Sequence, residues 1–292
     1  MIGVLYESRE WSDFHLVDEL RVFGCQVEMI DMEDDGCEEK ALRCDMLASR
    51  VFASAYSRGH EVSLRRAPSL LAAAERVGIR VINPARAHAF ETSKALATAE
   101  LARAGVPVPR VYGVFGAGEL AAGLLPENVA FPLIVKPDCG GRGGDTFIVR
   151  DAEGLKRAVS CVESGLPMVV EEYVEPVLGY LTRIEVVGGE PILVLKRSVA
   201  ANGLSGYHHG SVYSFYPDCP QQVLDFARAA SAVLSFEVGS FDVIESEGRI
   251  AFIDCNSVSN VSEDCTDLFH MDLMREHARY IAHEYRQMEG AE

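Results

Sequence analysis

Five apolar residues, Phe131-Pro132-Leu133-Ile134-Val135, run into Lys136, and Gly140, Gly141, Gly143 and Gly144 follow at once. A second strand-like run, Phe147 to Arg150, comes directly after. A glycine loop held between two strands constrains the fold more than any other feature of this chain. Glycine lets backbone N–H groups close on phosphate oxygens, and Arg142 at the tip can add charge. A charge ending an apolar strand is costly without a partner, so Lys136 needs a role. No Gly-Lys-Ser or Gly-Lys-Thr occurs, which excludes a Walker A loop. A dinucleotide fingerprint would open a helix instead of joining two strands. Two readings remain: a nucleotide clamped between two sheets under a glycine lid, or a plain β-hairpin with a loose turn.

A chain of 292 residues suits two or three lobes around separate cores. Hydrophobic residues make up 48%, too many for a disordered chain, and no apolar run reaches the roughly 20 residues of a membrane span. Met1 to Leu5 is short and lacks a basic flank, so no secretory leader is expected. The net charge of −17 argues against non-specific binding to a phosphate backbone. None of the eight cysteines forms a C-x-x-C pair, so reduced thiols in a cytoplasm are expected, with no zinc ribbon. The expectation is therefore a cytoplasmic protein with no nucleic-acid or membrane partner. Homo-oligomerisation stays open.

Periodicity predicts an N-terminal open α/β layer: strand 2–6, a helix over 14–23 stopped at Gly24, and strand 27–30. An acidic loop over 31–39, a strand over 46–55, a helix over 68–77 and a strand ending at Pro84 follow. A helix over 92–103 leads to Pro107 and Pro109, which suggest a domain crossing. Strand 132–136, helix 152–164 and strand 168–174 come next, then a hairpin around Gly188-Gly189, helix 223–235, a hairpin around Glu247-Gly248 and an amphipathic helix over 268–288. The expected domains are 1–88, 89–174 and 175–292.

Asp242 and Asp254 fall on the two strands of the second hairpin, and Asn256 shares a face with Asp254 because strand side chains alternate. Two carboxylates and an amide oxygen are hard ligands suited to Mg²⁺ beside phosphates. The alternative is a solvent-facing polar edge, which the apolar Ala251-Phe252-Ile253 makes less natural. His208-His209 sits in a glycine-rich loop and reads as a substrate contact or as a surface pair. Trp11, the single tryptophan, reads as a packing residue.

Taken in order, these segments resemble the ATP-grasp superfamily, in its RimK-type branch of carboxylate–amine ligases. Asn83-Pro84, Thr92-Ser93-Lys94 and Ala104-Gly105-Val106-Pro107-Val108-Pro109 are similar to that family's approach to its ATP lobe. Residues 131–137 and the glycine loop are similar to its phosphate strand and lid, and Glu171-Glu172-Tyr173-Val174 to its adenine hinge. Thr182-Arg183 and Lys196-Arg197 resemble its basic groups, Gly206 to Gly210 its substrate loop, and Asp242, Asp254 and Asn256 its metal ligands.

The resemblance implies an ATP-grasp fold of mixed α/β and α+β class: an N-terminal open α/β domain followed by two α+β lobes clamping ATP. It implies ATP and Mg²⁺ or Mn²⁺ as cofactors, with carboxylate and amino-acid amine substrates. ATP would contact Lys94, Lys136, Gly140, Gly141, Arg142, Gly143, Gly144, Glu171, Glu172, Tyr173 and Val174. Arg183 and Arg197 would act in catalysis, Asp242, Asp254 and Asn256 would hold the metal, and His208, His209 and Ser257 would meet substrate. The implied product is an amide formed through an acyl phosphate, with glutamate added to a small molecule, a cofactor or a protein end. Three positions depart from the family pattern: Asp254 replaces a glutamate, Ser198 replaces a second arginine, and Gly179-Tyr180-Leu181 offers no acid for the ribose, leaving Glu175 or another group. A small-molecule kinase and a non-catalytic nucleotide-binding module are the competing readings.

Overall fold

The computed structural model describes every residue except 142–143, 163–164, 207–208, 247 and 291–292, and of the described residues it gives every side chain but that of 289. The chain builds three sheets. The first comes from β1 (Ile2–Tyr6), α1 (Trp11–Val22), β2 (Val27–Asp31), α2 (Cys37–Ala41), β3 (Met46–Arg50), α3 (Glu61–Arg76) and β4 (Arg80–Ile82). Its strands are parallel, in the order β2-β1-β3-β4. A parallel sheet is covered on both faces, which explains why β1 is buried along its whole length. Ile2, Val4 and Met46 face Leu16, Val17 and Leu20 of α1, whereas Leu5 and Leu47 face Leu70, Leu71 and Ala74 of α3.

Two short helices, α4 (Ala85–Glu91) and α5 (Lys94–Arg103), lead into the second sheet. It contains β5 (Val111–Phe115), α6 (Ala117–Ala121), β6 (Leu133–Pro137), β7 (Phe147–Val149), α7 (Ala152–Val159) and β8 (Met168–Glu172). Its strands are antiparallel, in the order β5-β8-β6-β7. The third sheet is antiparallel too: β9 (Tyr180–Val187), β10 (Glu190–Ser198), β11 (Tyr213–Phe215), β12 (Val238–Ser246) and β13 (Arg249–Asn256) run in the order β11-β10-β9-β12-β13. Helix α8 (Gln221–Leu234) covers one face of it, setting Val223, Ala227 and Ala230 against Ile184, Phe241 and Val243. After α9 (Asp264–Phe269), the terminal α10 (Leu273–Glu289) returns to the first sheet, where Met274, Ala278 and Ile281 join the core of Ile2 and Val4. Among the described residues no helix is long and apolar enough to cross a membrane.

Several expected boundaries move for physical reasons. Helix α3 starts at Glu61 and carries Pro68 inside it. Its buried stripe of Ala67, Leu70, Leu71 and Ala74 outweighs the one missing hydrogen bond. The acidic segment over 31–39 runs into a helical turn anchored by buried Cys37 and Ala41. The helix expected from Thr92 begins at Lys94, with Ser93 as its N-cap accepting from the Leu96 amide at 3.2 Å. The strand expected to reach Ala55 stops at Arg50, and a 3₁₀ turn, Ala53–Arg58, follows. The amphipathic tail is two helices, separated where His270 takes a left-handed φ of 48° and Asp272 caps α10. Strand β5 carried no readable alternation, because Gly113 interrupts its register against β8.

Two buried polar side chains tie the layers together. Asn83 donates from Nδ2 to the carbonyls of Val238 (2.6 Å) and Ser257 (2.7 Å), and its Oδ1 accepts from the amides of Glu237 (2.8 Å) and Val238 (3.1 Å). Glu91 accepts from the amides of Ala53 (3.1 Å) and Ser257 (2.6 Å) and from the Ser257 hydroxyl (3.1 Å).

Candidate active site

Strand β6 delivers Lys136 into the space between the second and third sheets. Its Nζ donates to the Ile253 carbonyl on β13 at 2.9 Å and lies 3.0 Å from Glu171 Oε2 on β8. Burial alone would favour the neutral amine, but the carboxylates of Glu171 and Asp254 outweigh it, and the ammonium titrates above its ordinary value. Lys94 reaches the same space from the first turn of α5, donating to the Gly140 carbonyl at 2.7 Å. Asp138, two residues past Lys136, sets this convergence. Its carboxylate accepts from the Ser93 hydroxyl and the Ala95 amide, each at 2.8 Å, fixing the start of α5 against the end of β6. The glycine loop joins antiparallel β6 and β7. Gly140 has φ 149°, and a Cβ on Gly141 would stand 3.3 Å from Ser54 Cβ, so the loop lies against the Ala53–Arg58 turn. Arg142 and Gly143, expected at the tip, lie outside the described residues.

These residues line a cleft whose inner walls are Tyr173, Val174, Leu181, Ile244 and Ile253, an apolar slot of the kind that takes a flat ring. The hinge residues divide their work. Glu171 turns its carboxylate to Lys136, while Glu172 grips Arg249 through both oxygens at 2.7 Å. The bond from Arg249 holds the Glu172 carboxyl below its ordinary value. Glu175 is exposed and is not part of the cleft wall.

At the deep end, Asp242 on β12 pairs directly with Asp254 on β13. Arg183 on β9 donates to Asp242 Oδ1 at 3.2 Å, and Arg197 on β10 donates to Oδ2 at 2.8 Å. Burial raises the Asp242 pKa, yet Arg197 and Arg183 more than reverse this, and the group stays ionised below its usual range. Arg183 also donates to Glu185 at 2.8 Å, and Arg197 to the Ser205 hydroxyl at 3.0 Å. Burial disfavours the Arg183 charge, but Glu185 and Asp242 overcome that and raise its pKa. Asp254 and Asn256 make no side-chain hydrogen bond among the described residues. Two uncommitted oxygen donors beside an ionised carboxylate fit a hard divalent cation.

Not every expected residue joins the site. Lys196, adjacent to Arg197, points to the opposite face of β10 because side chains alternate. Its ammonium sits over the rings of Tyr216 (4.2 Å) and Tyr180 (4.5 Å), so Arg183 and Arg197 form the basic pair without it. Ser257 is buried with its hydroxyl turned to Glu91, and it lines neither the cleft nor the wider space beyond it. His209 lines the site, and His208 lies outside the described residues. Glu185 escaped the sequence reading, although its two-residue offset from Arg183 on one strand was a usable signal. Glu91 gave no signal beyond standing just before Thr92-Ser93-Lys94.

The cleft opens onto a second, wider chamber. Gly140, Gly141, Arg197, Ser205, His209, Asp242 and Asp254 border both spaces. The start of α1 contributes Trp11 to the chamber, the segment after β3 contributes Phe52 and Ser54, and the chain after β13 contributes Val258, Leu268 and Phe269.

A family model described as the RimK-like ATP-grasp domain matches residues 91–281. Beta-citrylglutamate synthase B of Homo sapiens is 28% identical over 200 residues, which cover 64% of this chain and 51% of that protein. The chain thus spans about half the length of this relative. Among solved structures, the RimK domain ATP-grasp protein of Sphaerobacter thermophilus DSM 20745 superimposes with a TM-score of 0.68 at 16% identity, covering 96% of this chain and 98% of the other. D-alanine–D-alanine ligase from Bacillus anthracis gives 0.71 at 15% identity, covering 99% of each chain. The three-sheet architecture is that of the ATP-grasp fold.

Proposed function

Because this chain belongs to the RimK-like ATP-grasp family, we propose that it is an ATP-dependent carboxylate–amine ligase, converting ATP, a carboxylic acid and an amine into ADP, phosphate and an amide. The observation that carries this reading is the wall shared by cleft and chamber. There Asp242, Asp254 and Arg197 border both spaces, so a γ-phosphate in the cleft would face a carboxylate in the chamber. A carboxylate does not react with an amine unaided, because oxide is a poor leaving group. In-line transfer of the γ-phosphoryl group to a carboxylate oxygen gives an acyl phosphate and ADP. The amine then attacks the carbonyl carbon, the C–O bond to phosphate breaks with its electron pair, and the nitrogen gives up a proton.

Lys94 and Lys136 cradle the phosphates, Gly140, Gly141 and Gly144 close over them, and Tyr173 and Val174 flank the base. Arg183 and Arg197 orient the carboxylate; a guanidinium has five N–H donors, and the bonds to Asp242, Glu185 and Ser205 leave donors for it. Asp242, Asp254 and Asn256 would hold Mg²⁺ or Mn²⁺, which when bound neutralises charge on the phosphate oxygens. Closure around the site excludes water that would hydrolyse the acyl phosphate. Residues 1–88, 89–174 and 175–292 supply the first, second and third sheets, with α10 of the last segment returning to the core of the first, and glutamate is the amine that the citrylglutamate relative's name supports. Eight cysteines with no C-x-x-C pair suit a reducing cytoplasm.

The test is the nucleotide product. With ATP, Mg²⁺, a panel of carboxylates and glutamate, ADP should accumulate only with the right carboxylate. Carboxylate labelled with heavy oxygen should pass one label to phosphate. Asp254→Ala should abolish turnover with an unchanged circular dichroism spectrum. AMP as product, or amide without labelled phosphate, would overturn the ligase reading; ADP with a stable phosphorylated product and no amide would make the protein a kinase.

A further inference from the structure

The chamber beyond the shared wall carries its own record of what it takes. Six carboxylates border it among the described residues: Glu10, Glu91, Glu185, Asp242, Asp254 and Asp264. Against them stand two guanidinium groups, Arg183 and Arg197, and both already pair with acids: Asp242 meets the two of them and Glu185 meets Arg183. With Mg²⁺ held on Asp242 and Asp254, Glu10, Glu91, Glu185 and Asp264 still border the space, and among the described residues no cation beyond the paired Arg183 and Arg197 is there to receive a substrate with several negative charges. One carboxylate, by contrast, can use the remaining guanidinium donors. The rest of the wall is apolar, with Trp11, Phe52, Val212, Val258, Leu268 and Phe269. Val212 is 71% exposed and Leu268 47%, so two large apolar side chains stand in water at the edge of a cavity. A ligand with hydrocarbon of its own would cover them.

We propose that the carboxylate substrate is a monocarboxylate with an apolar body, its head group against Arg183 and Arg197 and its hydrocarbon against Trp11, Phe52 and Leu268. This rests on the reading that the chamber seats the carboxylate of a ligase. It goes further by excluding polyanionic acids from that position. A body of several carbons bridges the basic pair and the apolar edge, whereas a compact polyacid leaves that edge wet and brings charge to a surface already negative.

Trp11 supplies the probe, since it is the single tryptophan and borders the chamber. Protein loaded with a non-hydrolysable ATP analogue and Mg²⁺ is titrated with propionate, butyrate, hexanoate and 3-phenylpropionate, and separately with citrate. Fluorescence and calorimetry are read together. Affinity should rise about two- to fourfold per methylene up to hexanoate, and citrate should bind more weakly than hexanoate. Leu268→Asp should flatten the series, and Val212→Asp serves the same purpose if the first variant fails to fold by circular dichroism. A flat series in the parent, citrate tighter than hexanoate, or no binding by either method at millimolar concentration overturns the proposal. A rising series with no ADP formed from any acid and amine would sink the ligase reading while leaving the substrate class intact. Amide formation from citrate with a flat series would do the reverse.

Discussion

Lys136 shows how much one residue can reveal. A cation closing an apolar strand is costly, so its presence announced a partner, but the sequence did not say which. The structure supplies Glu171 from β8 and the Ile253 carbonyl from β13, and it leaves the ammonium at the cleft wall. Lys136→Ala should lower affinity for ATP by about ten- to a hundredfold, the worth of one charge-assisted contact, read by calorimetry. It also strands Glu171, 1% exposed, without its cation, so a lower melting temperature should accompany the loss. Unchanged affinity would remove Lys136 from the phosphate site. Asp242 and Asp254 were legible for a similar reason, as charges embedded in strands, whereas Arg183 and Arg197 were named only through the family resemblance. Glu91 was not, because an acid at a helix end looks ordinary until the chain folds its neighbours onto it.

Among the elements, the glycine loop was readable as a connection between two strands, and β6 and β7 pair as antiparallel neighbours. Its position against the Ala53–Arg58 turn was not readable, since Gly141 and Ser54 are far apart in sequence. A Cβ at Gly141 would stand 3.3 Å from Ser54 Cβ, tighter than ordinary contact. Gly141→Val should push the loop off the turn at a cost of about 1–3 kcal/mol. The expected outcome is a KM for ATP roughly five- to a hundredfold higher, with the melting temperature little changed. A normal KM would mean that the loop closes elsewhere. The break between α4 and α5 belongs to the same scale: Thr92-Ser93 looked like helix until Asp138 drew the Ser93 hydroxyl and the Ala95 amide to itself.

For the whole molecule, stability depends on a few buried polar groups that cross between layers. Asn83 satisfies four backbone groups of the segments around Val238 and Ser257. Asn83→Ala leaves them unpaired and should destabilise the fold by about 3 kcal/mol or more, measured by urea unfolding. Two buried histidines weaken the fold as pH falls, and Glu7, whose carboxyl burial raises to about 7, acts in the opposite direction. Burial lowers His88 to about 4, and burial with the Arg50 charge lowers His277 to about 3. Both values lie below the unfolded one, about 6.5, so the neutral forms belong to the fold. Their contribution is complete above pH 6.5 and is lost as pH falls toward 4 and 3, at about 1.4 kcal/mol per pH unit for each. The ratio of the urea midpoint at pH 5 to that at pH 7 should therefore be higher in the His88→Leu, His277→Leu double variant than in the parent; an unchanged ratio would assign the acid limb to other groups. Local chemistry made most strands, the glycine loop, the acidic hairpin and most helices legible, because periodicity, glycine placement and charges inside apolar runs act between near neighbours. Tertiary structure alone decided that Lys94 and Lys136 line one cleft, that Lys196 turns away from Arg197, and that Trp11, Phe52 and Ser54 of the N-terminal segment wall a chamber with the third sheet. Those outcomes depend on pairings between distant segments, where burial and the satisfaction of polar groups select one arrangement and local sequence carries no record of the partner.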